Sequence, residues 1–201
     1  MATFQGTNAN DTLNGGSGND SLNGVLGDDL LFGNAGNDTI NGDQGSDVIF
    51  GGNGNDNLIG GRSGSPNAPE GFFEDFLVGG AGSDTLNGFS PNRGTSFERD
   101  QLIGGGAVDN KGDVTNISGD GVKDVFVLGD ANGSYYTAAD DNDYATILGF
   151  EKGIDQLALS PAVTYKLESK SQITELDTLI FAQLPNGNDL IAIVANVDLT
   201  R

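Results

Sequence analysis

One nine-residue phrase governs what this chain can fold into. Residues 15–23 read GGSGNDSLN and residues 51–59 read GGNGNDNLI, both fitting G-G-x-G-x-D-x-U-x with U apolar. Repeats begin at Gly6, Gly15, Gly24, Gly33, Gly42 and Gly51 without a gap. Further starts fall at Gly60, Gly79 and Gly88, with a degenerate one at Gly104. Position 6 is then Asp11, Asp20, Asp29, Asp38, Asp47, Asp56, Asp75, Asp84, Asp100 and Asp124. Position 8 is Leu13, Leu22, Leu31, Ile40, Ile49, Leu58, Leu77, Leu86, Leu102 and Phe126. An apolar residue at every position 8 is not what a polar loop would give.

The spacing carries its own geometry. Six residues of Gly, Asn and Asp make a turn, and three make a short strand whose middle side chain points inward. Two repeats close one coil, and stacked coils give two parallel sheets with a Leu/Ile ladder between them. The expected fold is all-β: a right-handed parallel β-roll, a nonapeptide solenoid, over residues 1–128. Residues 129–201 lose the period and read as short strands. They form a C-terminal β cap, because an open solenoid end would invite aggregation.

Turns on one edge lie about 4.8 Å apart, so each gap collects a carboxylate and several carbonyls. An all-oxygen, flexible cage suits Ca²⁺ better than Mg²⁺, which demands tight octahedral geometry. Asp and Asn also favour turns without any metal, but ten in register, in a chain of net charge −20, call for a cation. Odd and even repeats occupy opposite edges. Asp20, Asp38, Asp56 and Asp84 form the more regular row, and Asp11, Asp29, Asp47, Asp75 and Asp100 the rougher one. Insertions near 62–74 and 89–99 fall on the odd edge, and one near 105–123 interrupts the even edge.

Position 9 separates the two sheets further. Even strands carry Asn23, Asn41 and Asn87 there, giving a solvated face. Odd strands carry Phe32, Phe50, Val78 and Ile103, with Leu30, Val48 and Phe76 at position 7. That outer apolar face is expected either to be covered by the insertions or the C-terminal segment, or to meet a partner or a second copy.

Composition removes whole classes of function. The chain has no His and no Cys, which excludes a Ser-His-Asp triad, an H-E-x-x-H metalloprotease, disulfides and thiolate metal sites. With 29 acidic and 9 basic residues it offers no phosphate-neutralising patch for nucleic acid. No apolar run is long enough to span a membrane. Met1 runs directly into the first repeat, so no N-terminal secretory leader is expected. Asn116-x-Ser118-x-Asp120-Gly121 faintly resembles an EF-hand loop, but Val127 stands where the bidentate Glu belongs, and it reads as a polar loop. Arg62, Arg93 and Arg99 share the odd-edge insertions with Phe72, Phe73, Phe89 and Phe97. They either anchor the loops, pairing with Glu70, Glu74 and Glu98, or grip a glycan or protein.

The repeats resemble the RTX, or hemolysin-type, calcium-binding family over residues 6–128. The stretch from Asp124 to Leu159 is similar to the segment after the repeats in serralysin-type C-terminal domains, with Gly149 where that pattern has Asp. The resemblance implies several Ca²⁺ ions, about five to eight, held by the position-6 carboxylates and by carbonyls of the glycine-rich turns. Carried onto this chain, the turn ligands are Gly15, Gly16, Gly18, Gly27, Gly33, Asn34, Gly36, Gly45, Gly51, Gly52, Gly54, Gly79, Gly80 and Gly82. Asp130 completes a last site near Asp124. The family also implies type I secretion through an uncleaved C-terminal signal, and an extracellular or cell-surface location. Val25 and Asp43 depart from it, replacing Gly at position 2. The function expected is a non-enzymatic calcium-binding module that folds with its ions. The alternative is a calcium-dependent adhesin or matrix protein binding a protein or polysaccharide.

Overall fold

The computed structural model of the protein describes residues 1–62, 74–89, 99–108, 114–130, 133–134, 136, 144–172, 175–185, 187–197 and 199–200. Among these the regular elements are strands, numbered in chain order. One sheet contains β1 (Thr3–Gln5), β3 (Ser21–Leu26), β5 (Thr39–Gln44), β7 (Asn57–Arg62), β9 (Thr85–Phe89), β13 (Val125–Val127) and β17 (Gln156–Ala158), side by side in that order. The second contains β2 (Thr12–Ser17), β4 (Leu30–Ala35), β6 (Val48–Asn53), β8 (Phe76–Ala81), β10 (Arg99–Ile103) and β16 (Tyr144–Leu148). It is extended by β20 (Gly187–Val194), β19 (Glu175–Leu184) and β18 (Thr164–Gln172). Two small ribbons pair β11 (Ala107–Val108) with β12 (Val114–Asn116), and β14 (Gly129–Asp130) with β15 (Gly133–Ser134).

Alternate repeats feed alternate sheets, as a parallel β-roll requires. In the first sheet Phe4, Leu22, Ile40 and Leu58 stand in register, followed by Leu86, Phe126 and Leu157. In the second, Leu13, Leu31, Ile49, Leu77, Leu102, Ile147 and Val194 do the same. Leu31, Ile40, Ile49, Leu58, Leu77, Leu86 and Leu102 are fully buried between the sheets. Each such side chain contributes about 1.5–3 kcal/mol by leaving water.

The parallel pairing does not stop at residue 128. β17 continues the first sheet and β16 the second, so two more rungs follow the last recognisable repeat. β20 then adds in parallel to β16, and β19 and β18 fold back antiparallel. This meander closes the second sheet edgewise and leaves β18 outermost. Lys166, Glu168 and Lys170 lie along that edge, a charge pattern that discourages further strand pairing.

On the outer face of the second sheet Phe50, Val78 and Ile103 are buried, while Leu30, Phe32, Val48, Phe76 and Leu148 pack around them half-buried. Phe32 and Phe50 stack at 5.1 Å, and Phe76 meets Phe50 edge-on at 6.4 Å. Part of the cover comes from the turn before β11. A methyl built on Gly106 would stand 3.2 Å from Ile103 Cγ2 and 3.3 Å from Val78 Cγ1. The insertions at 63–73 and 90–98 lie outside the described residues.

Position 2 holds a left-handed backbone in the repeats that begin from Gly15 to Gly79. Gly52 has φ 111°, Gly61 φ 120° and Gly80 φ 108°. Asn34 and Asp43 occupy the same position at φ 76° and 74°, values these residues tolerate. Val25 sits there at φ 91°, where a β-branched side chain is strained. Replacing Val25 with Gly is therefore expected to raise stability by about 1 kcal/mol, measured by urea unfolding with excess calcium. Leu58→Ala in the same assay is expected to cost about 2–5 kcal/mol. A fall in stability for the glycine variant would contradict the strain at this position.

Candidate metal centre

Each edge of the roll is a column of turns, and each turn is tied to the next by its position-6 aspartate. On one edge the backbone N–H of Asp20 donates to Asp38 Oδ1 at 2.7 Å, and that of Asp38 to Asp56 Oδ1 at 2.7 Å. Asp56 donates to Asp84 at 2.8 Å, Asp84 to Asp124 at 2.9 Å and Asp124 to Asp155 at 2.9 Å. On the other edge Asp11 donates to Asp29, Asp29 to Asp47 and Asp47 to Asp75, each at 2.8 Å, and Asp75 to Asp100 at 3.0 Å. The two ladders are equally regular. The rougher odd edge expected from its insertions is absent at this level. The reason is where the extra residues enter the sequence: between the opening glycine and the Asp of a turn. Gly60 and Asp75, Gly88 and Asp100, and Gly104 and Asp124 keep their places against each other.

Position 5 makes a second ladder of opposite polarity. The N–H of Asn37 donates to Asn19 Oδ1 at 2.9 Å, and that of Asn55 to Asn37 Oδ1 at 3.0 Å. On the other edge Asp28 donates to Asn10 Oδ1 and Ser46 to Asp28 Oδ1, both at 3.0 Å. Neighbouring turns are thus bonded forwards and backwards by adjacent side chains.

With Oδ1 engaged, the other carboxylate oxygen decides the chemistry. Oδ2 of Asp29, Asp38, Asp47, Asp56 and Asp84 is buried and has no hydrogen-bond partner. Each faces the first glycine of its own repeat. A methyl built on Gly33 would lie 2.4 Å from Asp38 Oδ2 and 2.6 Å from the Gly51 carbonyl. For Gly51 the corresponding contacts are Asp56 Oδ2 at 2.4 Å and the Gly79 carbonyl at 2.6 Å. Position 1 is therefore Gly for space: a side chain would fill the point on which a carboxylate and the next turn's carbonyl converge. Gly15, Gly33, Gly51 and Gly79 line this path on one edge. Gly16, Asn34, Gly52 and Gly80 stack in register beside it. Gly18, Gly36, Gly54 and Gly82 form a third row, as Gly27 and Gly45 do on the opposite edge.

Burial pushes these carboxyls upward: Asp47 and Asp124 to about 7, Asp56 to about 6 and Asp84 to about 8. The N–H donated by the preceding turn pulls each down, and like charges along the row push it up again. Orphaned carboxyl oxygens at successive interior turns, each beside a carbonyl, are the donor set a hard, oxygen-seeking cation needs. The residues present fit Ca²⁺.

The row ends are built differently. Asp11 Oδ2 accepts from Thr7 N at 2.6 Å and Thr7 Oγ1 at 2.9 Å. Asp155 Oδ2 accepts from Glu151 N at 2.8 Å. Asp100 Oδ2 accepts from the Tyr136 hydroxyl at 2.6 Å. Asp155, not Asp130, follows Asp124 in the ladder. Asp130 pairs with Gly133 in the β14–β15 ribbon, and its side chain lies outside the described residues. The 116–121 loop is a set of local turns rather than a calcium loop. Asn116 Oδ1 accepts from Ser118, Asp120 Oδ1 from Val122 N, and Asp120 Oδ2 from Gly82 N. Of the Arg and Phe residues assigned to the insertions, Arg99 lies over the Tyr144 ring at 5.3 Å and Phe89 is buried in the core. Phe89 thus has no surface role, and Phe72, Phe73, Arg93 and Phe97 lie outside the described residues.

A model of the RTX calcium-binding nonapeptide repeat, in four copies, matches residues 3–31, 32–63 and 71–90. Over these residues the chain carries RTX calcium-binding repeats. The matched RTX residues hold the ladders from Asp11 to Asp84, so the orphaned oxygens fall inside them. Among solved structures the chain matches the AlgE6R3 subunit from the Azotobacter vinelandii mannuronan C5-epimerase, determined in solution. It is 19% identical with a TM-score of 0.32, over 94% of this chain and 71% of that one. No curated protein sequence matches the chain. Among the described residues no helix is long and apolar enough to cross a membrane.

The raised carboxyls give a signed pH response. Unfolded, an Asp titrates near 4. Between about pH 4 and pH 8 the metal-free fold therefore holds more protons than the unfolded chain, and its stability falls as pH rises through that window. In excess EGTA, circular dichroism is expected to show more folded protein at pH 5 than at pH 8. An unchanged or opposite trend would contradict the buried, uncompensated carboxylates.

Proposed function

We propose that the protein is a secreted or cell-surface calcium-binding β-roll that folds on binding several Ca²⁺ ions and has no catalytic role of its own. One observation carries this reading: Asp29, Asp38, Asp47, Asp56 and Asp84 each bury an oxygen without a donor, in a chain of net charge −20. The ions would be held by Oδ2 of Asp29, Asp38, Asp47, Asp56, Asp75 and Asp84 together with carbonyls of the facing turns. Bound Ca²⁺ would supply the positive charge for these oxygens to coordinate. Binding free energy then becomes folding free energy. Extracellular modules work at about 10⁻⁴–10⁻³ M Ca²⁺, far above cytosolic levels. Such a chain stays loose inside the cell and locks after export, which agrees with the type I secretion that the family resemblance implies. The absence of His and Cys supports a binding role over catalysis.

The test is a far-ultraviolet circular dichroism titration at pH 7.5. The β signal is expected to vanish in excess EGTA and return with millimolar Ca²⁺ but not with equal Mg²⁺. A β spectrum indifferent to EGTA would overturn the reading.

The outer face of the second sheet supports a second reading, a calcium-dependent adhesin or matrix component. It carries a groove of about 630 Å³ lined by Phe32, Phe50 and Val78 beside Asn14, Asn34 and Asn53. Size-exclusion chromatography with and without calcium separates the two. Calcium-dependent oligomers favour the adhesin, and a calcium-loaded monomer favours the simple module.

A further inference from the structure

Tyr136, which follows the repeats, inserts its side chain into the odd-edge carboxylate row. It is fully buried, its backbone is left-handed at φ 45°, and its ring packs against Phe89 with centroids 5.6 Å apart. Its hydroxyl donates to Asp100 Oδ2 at 2.6 Å. The place it occupies can be read from the glycines. A methyl built on Gly42 would meet Asp47 Oδ2 and, at 2.5 Å, the Gly60 carbonyl of the next turn. On Gly60 it would meet Asp75 Oδ2 and, at 2.6 Å, the Gly88 carbonyl. On Gly88 it would meet Asp100 Oδ2 and, at 2.5 Å, the Tyr136 hydroxyl instead. The phenol therefore stands where every interior turn presents the following glycine carbonyl. One rung on, Ala145 lies in register with Asp100, so no carboxylate continues the row.

We propose that Tyr136 terminates the odd-edge calcium row, its hydroxyl doing for Asp100 Oδ2 what an ion does for the interior aspartates, so that Asp100 holds no ion through that oxygen. This rests on the calcium reading above and deepens it. Thr7 plays the same part at the other end of the row, where its N–H and hydroxyl close Asp11 Oδ2. A row closed at both ends by hydroxyl donors has a fixed number of ions, whatever the calcium concentration. The interior aspartates depend on the ion. Asp100 depends on a side chain supplied from beyond the repeats, and this couples the C-terminal third to completion of the roll.

The test counts bound ions by calorimetry in the full chain and in three variants: Asp47→Asn, Asp100→Asn and Tyr136→Phe. Asp47→Asn is expected to bind fewer ions than the parent, and Asp100→Asn the same number. Tyr136→Phe keeps the ring and the ion count. Its folding equilibrium constant at fixed calcium falls by about tenfold, because a buried oxygen loses its donor. That loss shrinks when Asp100→Asn is also present. Terbium gives an independent readout. The chain has no Trp and four Tyr, so Tb³⁺ in place of Ca²⁺ is sensitised by tyrosine alone. Tyr136→Phe is expected to lose most of that emission. Loss of an ion in Asp100→Asn, matching Asp47→Asn, or terbium emission unaffected by Tyr136→Phe, would overturn the terminator and leave the calcium reading intact. A parent that binds no calcium would overturn both.

Discussion

A buried carboxylate with one oxygen bonded and the other not, repeated at Asp29, Asp38, Asp47, Asp56 and Asp84, is the constraint on which the fold depends. Oδ1 of each aspartate fastens its turn to the one before by accepting a backbone N–H at 2.7–3.0 Å. Oδ2 of Asp29, Asp38, Asp47, Asp56 and Asp84 is left beside a carbonyl with no donor. The same residue therefore staples the coil and charges it. Apolar burial between the sheets drives the stack together, and a buried uncompensated charge opposes it. A cation in each gap reverses that second effect.

The short period explains how the chain tolerates long interruptions. A turn sits on the solvent side of the roll, and only its first glycine and its aspartate take part in the ladder. Residues added between them alter neither register nor burial. Phe50 pairs with Val78 as Phe32 pairs with Phe50, although 28 residues separate the first pair and 18 the second. Leu77, Leu86, Leu102 and Phe126 are as completely buried as the uninterrupted Ile40 and Ile49.

Much of this was legible in the residues alone. An apolar residue at every position 8 announced the two ladders of the core, and Asp at position 6 announced the polar columns. Less visible were features that depend on what lies across a gap. The Asn19–Asn37–Asn55 ladder could have been suspected from the recurring Asn-Asp pair, but turn preference alone accounts for Asn there. Asp155 was signalled only by Asp155-Gln156-Leu157 repeating the spacing from position 6 to position 8. Asp120 replaces a backbone carbonyl with a side chain, bonding Gly82 N, and no motif marks that exchange. Tyr136 carries no signal of its own, because its partner Asp100 lies 36 residues earlier. The C-terminal strands were legible as strands but not as rungs, since their turns have lost the glycines that mark the period.

The central claim is that the orphaned oxygens face calcium, and locating the ion tests it most directly. An anomalous difference map from crystals grown with calcium should show a peak about 2.3–2.6 Å from Oδ2 of Asp38, Asp47 and Asp56, with facing glycine carbonyls completing each shell. A folded roll whose Oδ2 atoms have no ion at that distance in saturating calcium would contradict the account.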